Sequence, residues 1–343
     1  KKSVKKSALT LQEIVQLYQN GQYEKVVAAL SLLLKKTARN GKLWILLSAA
    51  LQNIPGKLDE ALVAIKKAIQ IIPDDHTLYN NLGIICQEMD RYDDAVHAFS
   101  TALKLCPEYA NTWISLGNVQ QKMGDLPGAE ISLKRALVLE PDSAQAYYNL
   151  GVCYEKKDQV DLAENCYKKS IQLNPELIEA MNNLASMYLG IERVEEALPL
   201  VKRMLELEPD FPQAWFNLGN IYLDSNQFDL AEKNYLHAFS LSRSLPADMV
   251  TSLLFSMSHN MTHSPREQFE RHCFFGEKTE NKISHRYQHI PKQQPGHKIH
   301  IGFISGDFHY HAVMNFLEPV LEHLKDDPTL TLTAYMTGFK KDE

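Results

Sequence analysis

One spacing governs this chain. Pro73, Pro107, Pro141, Pro175 and Pro209 follow one another at intervals of 34 residues. Gly83, Gly117, Gly151 and Gly219 keep the same interval, with Ala185 in the remaining slot, and Ala95, Ala129, Ala163, Ala197 and Ala231 repeat it again. A unit of this length is a pair of helices that cannot bury its apolar face alone, so the units must stack. The small residue lets the first helix approach its neighbour, and the alanine lets the second pack against the first. Phe99, Tyr167 and Tyr235 are expected to fill the gap between units. Each proline ends a second helix, because it lacks an N–H and disfavours helix in the residue before it.

The segments WISLGNVQ, YYNLGVCY and WFNLGNIY resemble the tetratricopeptide repeat (TPR). The fold expected is therefore mainly α, a TPR superhelical solenoid of about seven units over residues 7–245. Five units are clean, at about 76–109, 110–143, 144–177, 178–211 and 212–245. The unit at about 41–75 carries one extra residue near Ile54-Pro55-Gly56. The unit at about 7–40 is degenerate, as suits a terminal, partly exposed repeat.

The residue before the packing leucine reads Asn81, Ser115, Asn149, Asn183 and Asn217. This position is expected on the concave wall, with Asn118 and Asn220 three residues further along the same face. Asparagine gains nothing from helix propensity. The column is either a set of polar residues on a solvated face or a ladder of amides. A carboxamide both donates and accepts, so a ladder would hold an extended acceptor polypeptide by its backbone, with Ser115 as a gap.

The chain has 343 residues, 45% of them hydrophobic and 23% charged, with a formal net charge of −6. This balance argues against a dedicated nucleic-acid binder, and no apolar run approaches the length of a membrane span. The five cysteines form no C-x-x-C pair, which fits a reduced, intracellular, cytoplasmic protein. The first residue is lysine, so the N-terminus reads as a cut or processed end. Residues 1–6, with four lysines, read as a basic solvated tail. Cys86, Cys153 and Cys166 read as small packing residues.

After Ser242 the period stops, and ten of the thirteen histidines lie from His259 onward. Residues 246–297 read as a helical linker region. Ser264-Pro265-Arg266-Glu267 is a capping box with proline at the first helical position, so a helix is expected over 265–280. KIHIGFISGDF then reads as a buried strand over 298–304, Val313 to Leu324 as a helix, and Leu330 to Met336 as a second strand. Strand, helix, strand is the beginning of an α/β lobe over 298–343 that looks cut at Glu343. His259 and His263, with His272-Cys273 nearby, offer a metal reading. No H-E-x-x-H or paired cysteines accompany them, and no metal site is assigned.

The TPR units, LLFSMSHN…SPREQFERH and KIHIGFISGDFHYHAVMNFLEPVLEHL together resemble the O-linked N-acetylglucosamine transferase / SPINDLY family, its bacterial members most. The resemblance implies a two-lobed GT-B, Rossmann-like fold and an inverting, metal-independent glycosyltransferase. The expected donor is UDP-GlcNAc, or alternatively GDP-fucose, and the acceptor Ser or Thr of proteins held in the TPR groove. It places the active-site histidine at His311, just past the first strand, where ligands bind in open α/β sheets. Asp307 orients that imidazole or caps the loop, and with the additional His309, by which this chain departs from the family pattern, it makes up the candidate active-site loop. Most nucleotide contacts come from a second lobe, so residues 1–343 alone are expected to be inactive. A non-catalytic TPR interaction scaffold is the other function class the sequence allows.

Overall fold

The computed structural model describes residues 9–242, 247–280, 299–305 and 330–336. It divides into two compact units, residues 1–277 and 278–343. The first is a stack of antiparallel helix pairs. These are α1 (Leu11–Gln19) with α2 (Tyr23–Leu34), α3 (Gly41–Gln52) with α4 (Leu58–Ile71), and α5 (His76–Glu88) with α6 (Tyr92–Leu105). They continue with α7 (Ala110–Met123) and α8 (Leu126–Leu139), then α9 (Ala144–Lys156) and α10 (Val160–Leu173). The last two pairs are α11 (Ile178–Gly190) with α12 (Val194–Leu207), and α13 (Pro212–Asp224) with α14 (Phe228–Leu241). The worn first repeat is a hairpin like the others, its α1 opened by a capping box between Thr10 and Glu13.

The glycine column explains how each pair closes. A Cβ on Gly83 would lie 2.4 Å from the Phe99 ring, and one on Gly219 2.4 Å from the Tyr235 ring. At Gly151 it would lie 2.6 Å from the Tyr167 ring, and at Gly117 2.7 Å from Leu133 Cγ. The large residue sixteen positions on therefore lies flat on its own hairpin's glycine, rather than only bridging units. In the slot where Ala185 replaces glycine, the facing residue shrinks to Val201. The five alanines of the second helices are fully buried.

The turn inside each hairpin has its own column. Asp90, Asp158, Glu192 and Asn226 have φ between 55° and 61°, and Gly124 has φ 83° at the equivalent place. The next residue's N–H returns to a carbonyl five residues back, as in Arg91 to Cys86, Asp125 to Gln120, and Arg193 to Tyr188. These bonds satisfy carbonyls that the helix end would otherwise leave orphaned, and they force the left-handed residue before them.

Odd helices approach one another directly, α5 to α7 to α9, and α11 to α13, while even helices pack chiefly on odd neighbours. The odd helices therefore line the inside of the curve. α15 (Ala247–His259) continues this pattern, packing on α13 and α14. Leu253 and Met257 join Tyr235 and Phe275 in one buried cluster, so stacking persists past the end of the 34-residue period. α16 (Pro265–Glu280) starts at the expected capping box, with Ser264 and Glu267 bonded reciprocally. No helix among the described residues is long and apolar enough to cross a membrane.

In the second unit, β1 (Ile299–Ser305) and β2 (Leu330–Met336) pair in parallel, from Ile299 opposite Leu330 to Ser305 opposite Met336. Both strands fall within a residue of their sequence positions. The helix expected over 313–324 lies outside the described residues.

Two outcomes follow for stability. Glu192→Gly is expected to raise the unfolding free energy from urea titration by about 0.5–1 kcal/mol, because a left-handed non-glycine residue costs roughly 1–2 kcal/mol and glycine returns part of that as chain entropy. Gly151→Ala is expected to lower it by about 1–3 kcal/mol, since the added methyl overlaps a fully buried ring.

Candidate functional site

The inner wall carries the asparagine column, and its members are not equivalent. Asn81 and Ser115 are half-buried, and their side chains form no hydrogen bond among the described residues. Asn183 is half-buried and donates to Tyr167 Oη at 3.4 Å. Asn149 is buried, its Oδ1 accepting from Gln145 Nε2 at 3.3 Å and its backbone carbonyl from Gln121 Nε2 at 2.7 Å. Asn217 is buried too, and Nδ2 donates to Asn182 Oδ1 at 3.1 Å and Ser186 Oγ at 3.4 Å. The column thus mixes accessible polar groups with amides that strap neighbouring units together. Asn220, on the same face, accepts from Tyr235 Oη at 2.7 Å.

Sequence reasoning missed Asn182, Gln121 and Gln145. Ser186 occupies the column of Asn118 and Asn220, one unit before Asn220, and that spacing was available to find it. It also missed Tyr148, a half-buried ring on α9 whose centroid lies 6.2 Å from that of Tyr167. Burial raises the Tyr148 phenol above its ordinary range, and Glu179 and Glu155 add to the effect. Burial likewise raises Tyr167, whose hydroxyl donates to Glu155.

A different set of carboxylates ties units together away from this wall. Glu130 on α8 binds Lys134 at 2.6 Å, Lys157, and Tyr154 Oη at 3.3 Å in the next unit. One repeat later Glu164 binds Arg193 at 2.7 Å, Lys168 at 2.6 Å and Tyr188 Oη at 2.9 Å. Two repeats later Glu232, buried, accepts from Asn260 Nδ2 at 2.8 Å, His263 Nε2 at 2.7 Å and Arg271. Hydrogen bonds from Lys134 and Lys157 hold Glu130 down to about 2, and those from Arg193 and then Lys168 hold Glu164 down to about 2.

The histidines considered for metal serve separate contacts. His259 ends α15, and its ring stacks with those of Phe255 and Phe228, at 4.2 and 5.3 Å between centroids. His263 lies in the following turn, not on the same helical face. His272 Nδ1 meets the Gln268 carbonyl at 2.7 Å and its Nε2 meets Ser258 Oγ at 3.1 Å. Among the described residues no three His, Cys, Asp or Glu side chains converge on a metal position. Cys86, Cys153 and Cys166 are buried free thiols, and burial raises Cys166 to about 11. His311, Asp307 and His309 lie outside the described residues.

The lowered carboxyls fix an acid response. Their contribution is present above pH 4.5 and is lost as pH falls toward about 2, because the unfolded state then binds protons that the folded state resists. Thermal midpoints are expected to fall across that interval, and Glu164→Gln to show a shallower fall.

Comparisons with known proteins agree with the stacked architecture. Family models described as tetratricopeptide repeat match residues 74–139, 144–177 and 188–234. A chain of the APC/C hetero-tetramer Cut9–Hcn1 is similar in structure, with TM-score 0.60, 17% identity, and coverage of 71% of this chain and 48% of that one. A tetratricopeptide repeat protein from Parabacteroides merdae gives TM-score 0.58, 17% identity, and coverage of 72% and 97%. PilF of Pseudomonas aeruginosa gives 0.56, 16%, 65% and 100%. A sequence comparison with curated proteins finds no match.

Proposed function

We propose that this tetratricopeptide-repeat protein is an interaction module whose inner wall holds an extended polypeptide. The observation that most supports this is that odd helices meet directly, α5 to α7 to α9 and α11 to α13, with Asn81, Ser115 and Asn183 half-buried on them. The side chains of Asn81 and Ser115 form no hydrogen bond among the described residues, and a carboxamide can pair with any backbone. One of the similar structures, Cut9–Hcn1, is itself a hetero-tetramer.

The test is titration of a labelled, unstructured Ser/Thr-rich polypeptide with the 343-residue chain, read by fluorescence anisotropy. Replacing Asn81 and Ser115 together with alanine is expected to weaken binding about tenfold, from two hydrogen bonds of about 0.5–1.5 kcal/mol each, imperfectly additive. The thermal midpoint should stay in place. Unchanged affinity would return the column to an ordinary solvated surface.

A second reading makes the solenoid the acceptor-presenting part of a protein O-glycosyltransferase. The parallel β1–β2 pair supports it, since parallel neighbours are characteristic of α/β sheets. The family resemblance supplies the chemistry: transfer from UDP-GlcNAc or GDP-fucose to Ser or Thr, with His311 at the active site. Intact-mass analysis of an acceptor protein incubated with the full-length natural product and each donor tests it. A mass increase that His311→Ala abolishes supports this reading, and no increase with either donor leaves the interaction module.

A further inference from the structure

The carboxylates of the solenoid fall into two groups. Glu130, Glu164 and Glu232 are each met by at least one cationic Lys or Arg. Glu155 on α9 and Glu179 on α11 are exposed and form no ion pair among the described residues. The hydrogen bond described for Glu155 comes from a neutral group, the Tyr167 hydroxyl. Beside Glu155 the Tyr148 and Tyr167 rings pair, tilted by 41° at 6.2 Å, and Asn183, four residues after Glu179 on α11, donates to the Tyr167 hydroxyl. Glu179 and Glu155 both raise the Tyr148 phenol, after burial, and a hydrogen bond with Asn183 acts in the opposite sense. The patch therefore sets two carboxylates that form no ion pair among the described residues beside aromatic faces, on the odd helices α9 and α11.

That combination is the complement of one kind of side chain. A guanidinium or ammonium is drawn to the face of a tyrosine, and a nearby carboxylate adds a charge-assisted hydrogen bond. Arginine suits it best, because its planar head stacks and presents several donors at once. We propose that Tyr148, Glu155 and Glu179 form a subsite that selects a cationic side chain, arginine in preference to lysine, on the polypeptide held by the inner wall. This rests on the reading of that wall as a polypeptide groove.

The experiment compares two versions of the labelled Ser/Thr-rich polypeptide, one with a single central arginine and one with citrulline, which keeps the shape without the charge. With the 343-residue chain, the arginine version is expected to bind about tenfold more tightly. Glu155→Gln with Glu179→Gln should shrink that ratio below about twofold. The glutamine at 155 still offers an acceptor to Tyr167, so the ring pair keeps its support. Glu140→Gln, at the exposed end of α8, should leave the ratio intact. If the double variant fails to fold, Glu179→Gln alone must still lower the ratio. Equal binding of the two polypeptides, or a tenfold ratio that survives the double substitution, overturns the subsite and leaves the groove standing. Binding of neither overturns the groove, and the subsite with it.

Discussion

The solenoid depends on one contact repeated along the chain, a large side chain pressed onto a residue without a side chain. Phe99 on Gly83, Leu133 on Gly117, Tyr167 on Gly151 and Tyr235 on Gly219 leave no room for a methyl group. Because the paired helices come this close, the alanines behind them bury fully. Because the hairpin is this tight, its turn must reverse in few residues, which the left-handed position and its returning hydrogen bond achieve. Period, packing and turn are one constraint seen at three scales.

Much of this is legible in the sequence because it is periodic. The glycine slot, the alanine slot and the proline recur at a fixed interval, so their partners do too. The strands of the second unit are legible for another reason: IHIGFIS and LTLTAYM are short runs rich in β-branched and aromatic residues bounded by polar stretches. α15 stacks without any landmark residue. Its buried Leu253 and Met257 are an ordinary i, i+4 pair, and nothing in them distinguishes a stacked helix from a connecting one.

The inner wall was legible as a position and not as a set of partners. The spacing places Asn149 and Asn217 one residue before the packing leucine, and the structure has them on odd helices. Whether an amide there faces a ligand or a neighbour depends on residues a full repeat away. Asn217 is engaged because Asn182 and Ser186 stand opposite it, while of the equivalent neighbours of Ser115, Asn80 accepts from Thr112 and Ile84 is apolar. The carboxylates behave similarly. Glu130, Glu164 and Glu232 share one repeat position, yet Glu232 draws its cation from Arg271, beyond the last periodic unit. A column can be read from one strand of text, but its partners come from whichever residues the next hairpin happens to present.

Between Glu130 and Glu232 the carboxylate column skips one joint. At the position equivalent to Glu164, the unit spanning α11 and α12 has Leu198 and so no acidic clamp from its even helix to the next odd one. That joint is strapped instead from odd helix to odd helix, through Asn217 to Asn182 and Ser186. A strap on the inside of a curve resists straightening, since straightening pulls the inner edges apart. It offers no resistance to tighter winding. At this joint the spring of the solenoid is asymmetric, stiff against extension and compliant toward closing around whatever lies inside it.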